Sequence, residues 1–113
     1  MAYVNQNIDL YAGEIRSVVV TVDDLNAGAV EDLTGCSISW KVKQGTTTAI
    51  SKTVGSGITL ASDPTTGVFT ISLQAADTSS LSGVYSHEGR VTLADGTIAT
   101  MFTGSFIVRA TLI

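Results

Sequence analysis

The stretch Cys36-Ser37-Ile38-Ser39-Trp40-Lys41-Val42-Lys43 decides the class of fold. Ile38, Trp40 and Val42 fall on one side of an extended chain, and Ser37, Ser39, Lys41 and Lys43 on the other. Successive side chains of a strand point to opposite faces, so a period of two with one apolar side describes a strand that is buried on one face and wet on the other. The same period places Ile8 and Leu10 in a first strand, Val18, Val20 and Val22 in a second, and Phe69, Ile71 and Leu73 in a later one. Shorter pieces lie near Ile50 and at residues 58–60. Two long strands close the chain. Val84 to Leu93 puts Tyr85, Val91 and Leu93 on one face, and Thr97 to Val108 does the same with Ile98, Phe102, Phe106 and Val108. Apolar residues at the three-and-four spacing of a helix form no long run.

The breaks between these runs carry turn chemistry. Asp95-Gly96 joins the last two strands and predicts a hairpin with a tight primed turn, whose positive φ glycine adopts without steric cost. Asp63-Pro64-Thr65-Thr66-Gly67 is a second turn, with proline fixing φ early and glycine closing it. Further breaks fall at Gly35, Gly45 and Gly55-Ser56-Gly57, and the one between the first two strands rests on Gly13 alone. Seven or eight short strands with almost no helix predict an all-β chain of two packed antiparallel sheets, with a closed barrel as the alternative.

A length of 113 residues suits one domain spanning 1–113, large enough to bury a core without disulfides or metals. Apolar residues make up 44% and charged residues 14%, which excludes the disordered class. Apolar runs such as Val18-Val19-Val20 and Phe106-Ile107-Val108 fall far short of the ~20 residues that cross a bilayer. Residues 1–11 lack the basic start and apolar middle of a secretory signal, so no export is expected. Net charge is −4, and Arg16, Lys41, Lys43, Lys52, Arg90 and Arg109 are scattered along the chain, which argues against nucleic acid as a partner. The single Cys36 has no partner for an internal disulfide or a CxxC motif.

Asp77-Thr78-Ser79-Ser80-Leu81-Ser82-Gly83-Val84-Tyr85 has a polar turn, an apolar plug at Leu81, a glycine at Gly83, and a tyrosine two residues into a strand. It resembles the tyrosine corner of immunoglobulin-like sandwiches, in which the hydroxyl ties back to nearby backbone. Two residues after Tyr85, where an antibody-type domain has its second cysteine, stands His87. The succession Asp32-Leu33-Thr34-Gly35-Cys36-Ser37-Ile38, Gly57-Ile58-Thr59-Leu60, Gly67-Val68-Phe69-Thr70-Ile71, the corner, and Glu88-Gly89-Arg90-Val91 is similar to small β-sandwich virion proteins of tailed bacteriophages. The amino-terminal domain of phage baseplate upper proteins is one of these. The resemblance spans roughly residues 8 to 108. It implies a structural virion protein, made in the host cytoplasm and present in the particle in several copies or as a homo-oligomer, with capsid or tail proteins as partners. The chain ends where that domain ends, with no fibre region after it, which favours a capsid decoration or cement protein over a baseplate or tail component.

Candidate sites are few. His87 and Glu88 point to opposite faces of a strand, and no second histidine exists to complete a relay or a metal set, so no catalytic residue is assigned and no enzyme is expected. Asp23, Asp24, Glu31 and Asp32 could offer oxygen ligands to a cation, but EF-hand spacing is missing and a solvated loop is the simpler reading. Gly55-Ser56-Gly57 lacks the lysine and helix of a phosphate loop. No metal and no cofactor are expected. Cys36 and Trp40 read as core. Outward Ser and Thr, as in Thr46-Thr47-Thr48, suit hydrogen-bonded protein contacts. The apolar ends, about 1–5 and 110–113, read either as simple extensions of edge strands or as arms docked on neighbouring subunits through Tyr3, Val4, Leu112 and Ile113. The alternative function is a carbohydrate-binding or adhesive domain using Tyr3 and Tyr11 as stacking platforms.

Overall fold

The computed structural model describes residues 4–5, 7–24, 29–30 and 32–110, with side chains described for 7–22 and 32–110. The strands are β1 (Val4–Asn5), β2 (Ile8–Tyr11), β3 (Arg16–Thr21), β4 (Asp23–Asp24), β5 (Ala29–Val30), β6 (Ser37–Gln44), β7 (Thr47–Val54), β8 (Gly57–Leu60), β9 (Val68–Leu73), β10 (Gly83–Thr92) and β11 (Ile98–Arg109). A 3₁₀ turn, Pro64–Thr66, precedes β9, and one four-residue helix, α1 (Ala75–Thr78), follows it.

One hydrogen-bonded path runs β1-β11-β10-β6-β7-β8-β9-β3, with β2 also on β11 and β4-β5 apart as a small ribbon. The path folds over at β7 and β8, which share only two parallel register pairs, Thr53 with Gly57 and Val54 with Ile58. The layers β2-β11-β10-β6-β7 and β8-β9-β3 then enclose one core. Among the described residues β3 pairs only with β9, so the sheet does not close, and the fold is an immunoglobulin-like sandwich rather than a barrel. The main ladders are antiparallel, as expected. The first strand, however, does not pair with the second: β1 and β2 run parallel to β11 at the far end of the chain. A bidentate pair holds this arrangement, with Arg109 Nε and Nη2 donating to the Asp9 carboxylate at 2.8 and 2.7 Å.

The buried set follows the predicted period. β6 buries Ile38, Trp40 and Val42, β9 buries Phe69, Ile71 and Leu73, and β10 buries Tyr85, His87 and Val91. Trp40, Phe69 and Phe106 are the largest fully buried side chains. Each such side chain contributes about 1.5–3 kcal/mol by leaving water, and packing of this kind replaces a disulfide.

Two expectations for the closing hairpin need correction. Ile98 does not join Phe102 inside; it is 63% exposed, while Met101 is buried. The cause is a bulge: Gly89 pairs with Phe102 but Arg90 pairs with Thr100, so Met101 has no opposite partner and the inward parity of β11 switches there. The turn is also not a two-residue primed turn. The Leu93 N–H donates to the Thr97 carbonyl and the Gly96 N–H to the Leu93 carbonyl, closing a three-residue loop, Ala94-Asp95-Gly96, with φ 90° at Gly96 and no positive φ at Asp95. A type I turn followed by a left-handed glycine gives this geometry.

At the bulge, Gly89 lies beneath the Phe102 ring, and a Cβ there would stand 2.5 Å from ring atoms. Gly89→Ala forces the ring to move within a packed core and is expected to lower stability by about 1–3 kcal/mol in urea denaturation. An unchanged midpoint would show that the ring is not confined.

Candidate interaction face

Beneath β10 the inward residues build an aromatic cluster. The Trp40 indole Nε1–H donates to His87 Nδ1 at 3.0 Å. The two rings stand 6.0 Å apart at 69°, and Phe102 and Phe106 pack on His87 with centroids at 5.5 and 6.2 Å. His87 is only 2% exposed. Indole is a donor only, so Nδ1 is the acceptor and the proton of the neutral imidazole belongs on Nε2. His87 thus sits where an antibody-type domain has a cysteine on this strand. On β3, Val18 and Val20 pack half-buried against the same core.

The corner is tied from both sides. Tyr85 Oη donates to the Ser82 carbonyl at 3.2 Å and accepts from the Ser82 N–H at 3.3 Å. Gly83 opens β10 at φ 106°, and Leu81 packs half-buried against the core. Buried Thr78 accepts from the Gly13 N–H at 2.9 Å, fastening the first turn to α1. Cys36 is half-buried against the same core, and burial pushes its thiol pKa up, so it stays protonated and is a poor nucleophile at neutral pH. No group of three or more metal-ligating side chains is present among the described residues. The side chains of Asp23, Asp24 and Glu31 lie outside them, and Asp32 accepts from Thr34. Tyr3, Leu112 and Ile113 also lie outside the described residues. Val4 is described only in its backbone, which pairs with Phe102.

The opposite face of the same sheet is polar and cupped, enclosing about 1040 Å³. Ser39, Lys41 and Lys43 of β6, Ser86, Glu88 and Arg90 of β10, and Thr103 and Ser105 of β11 line it, with Asn7 at the rim. The ladder sets them in rows: Lys43 opposite Ser86, Lys41 opposite Glu88, Ser39 opposite Arg90. Half of the six basic residues therefore gather on one face, although they are scattered in sequence. The other three are each held by a carboxylate: Arg16 near Glu14 at 3.7 Å, Lys52 on Asp77 at 2.8 Å, and Arg109 on Asp9 at 2.7 Å. In the cup only Arg90 has an ion-pair contact, to Glu88 at 3.7 Å, and Lys41 and Lys43 have none among the described residues. Three cations against one anion leave the face at +2 on a chain of −4. This face, which the sequence marked only as a wet side, is the candidate site. Tyr11, the one exposed aromatic among the described residues, is 53% exposed.

No protein-family model matches the chain, and no curated protein matches it in sequence. Among solved structures it is similar to CopC from Methylosinus trichosporium OB3b, at 19% identity and a TM-score of 0.52 over 94% of this chain and 87% of that one. That likeness is one of fold. Murine CRIg superposes at 15% identity over 96% of this chain and 92% of that one, with a TM-score of 0.33 that is too loose to carry an argument.

Asp77 gives the molecule a pH dependence. Burial raises its pKa, but the Lys52 ammonium and the Gln74 N–H, which donates to Oδ2 at 2.7 Å, outweigh burial and hold it below the usual carboxylate value. A carboxyl with a lowered folded pKa stabilises above its unfolded value of about 3.9, and the contribution is lost as pH falls through the folded value. Asp77→Asn is expected to cost on the order of 1 kcal/mol at pH 7 and to flatten the acid limb of the stability profile below about pH 4. Parallel acid limbs for both proteins would contradict the assignment.

Proposed function

We propose that the chain is a structural module of a tailed-phage particle, with capsid decoration favoured over a baseplate or tail role. It binds shell or tail subunits through its surface rather than acting as an enzyme. The observation that supports this reading is the cupped sheet face, lined by hydroxyl, amide and charged side chains that can bond another protein. Ser, Thr and Asn on such a face form directional contacts with another protein while remaining soluble when uncovered. The virion setting rests on the sequence resemblance, and the terminal residues Tyr3, Val4, Leu112 and Ile113 are proposed as additional docking arms. Mass spectrometry of purified particles is expected to find the chain in many copies per particle, and its absence from them overturns the reading.

A further inference from the structure

The cup also carries information about what it binds. We infer that it receives an extended acidic segment of a partner protein, with carboxylates at alternate positions; this deepens the interaction role proposed above and rests on it. Lys41 and Lys43 are two residues apart on β6 and point the same way, so their stems start about 7 Å apart. An extended peptide repeats its own side chains on one face at that same interval, so acids at alternate positions meet both ammonium groups without bending. Arg90 lies on the neighbouring strand in the row of Ser39, where a third carboxylate can be paired across the sheet.

The rest of the lining favours a polypeptide over a bare polyanion. Glu88 stands opposite Lys41 in the middle of the cup, where it repels a continuous row of phosphates but accepts from a peptide N–H. Ser39, Ser86 and Ser105 offer hydroxyls to peptide groups. The overall charge of −4 opposes a long nucleic acid at distance, whereas a short acidic strand is steered by the local +2 field. Lys41 and Lys43 are exposed and have no ion-pair partner among the described residues, so carboxylates reach these two without breaking a salt bridge, and only at Arg90 does an incoming carboxylate share its cation with Glu88.

The test is a titration of the ¹⁵N-labelled full chain with an octapeptide of four Thr-Glu repeats at low ionic strength. Amide shifts are expected to concentrate at residues 39–43, 86–90 and 103–105. They should weaken on adding salt and be absent with the matching Thr-Lys octapeptide. Lys41→Gln with Lys43→Gln should lower the affinity about tenfold, and Lys43→Gln alone should lower it less; neither substitution brings a new charge against Glu88. No shifts at millimolar peptide, shifts centred on another face, unchanged affinity in the variants, or tighter binding of oligothymidylate to this face would each overturn the inference. The particle separates this from the broader reading. A double-Gln chain that stays on particles at wild-type occupancy overturns the acidic-partner inference alone. A wild-type chain missing from particles overturns the virion reading and leaves the peptide result standing.

Discussion

The hydrogen bond from Trp40 Nε1 to His87 Nδ1 is the constraint on which the rest of the structure depends. It lies inside the sheet formed by β6, β10 and β11, the sheet whose outer side is the cup. A buried indole N–H or imidazole nitrogen without a partner costs about 1–3 kcal/mol, so each ring fixes the other. With both fixed, Phe102 and Phe106 pack against His87, and the Phe102 ring settles over Gly89. That contact coincides with the bulge at which β11 changes parity, so the aromatic cluster and the register of the closing hairpin are one feature.

This arrangement replaces what a cross-sheet disulfide does elsewhere. Cys36 precedes β6 rather than lying on β3, so it could not reach the strand opposite His87 in the antibody manner. The inward valines of β3 and the aromatic residues of β6 and β11 fill the space by packing instead. The corner at Tyr85 and the Lys52–Asp77 pair then hold α1 and the β7 region to the body. A rigid sheet is what a binding face requires, because Lys41, Lys43 and Arg90 keep their relative positions only while the β6–β10 register holds.

Much of this was legible in the chain. Alternation in residues 36–43 and 69–73 gave the strands and their buried sides, because a period of two is a local property. Tyr85 and Gly83 marked the corner by spacing alone. What was hidden depended on pairing between distant segments. Met101 looks like any strand residue until Gly89 is set against Phe102, and alternation alone therefore puts Ile98 inside. The parallel pairing of β2 with β11 joins residues about a hundred positions apart and leaves no local trace. The cup was hidden for the same reason. Lys41 and Arg90 are neighbours only through the ladder, and a count of scattered basic residues cannot reveal that. The partner of His87 could have been suspected from a lone indole and a lone imidazole with inward parity on strands of one sheet, but the register had to supply their proximity.

Nitrogen-15 NMR of the His87 imidazole at neutral pH, together with hydrogen exchange at the Trp40 indole, reads the Trp40–His87 hydrogen bond itself. The expected result is the Nε2–H tautomer, with Nδ1 unprotonated and accepting, and an indole proton protected as strongly as the backbone amides of β6 and β10. An Nδ1–H tautomer beside an indole proton that exchanges at a solvent-exposed rate would contradict it.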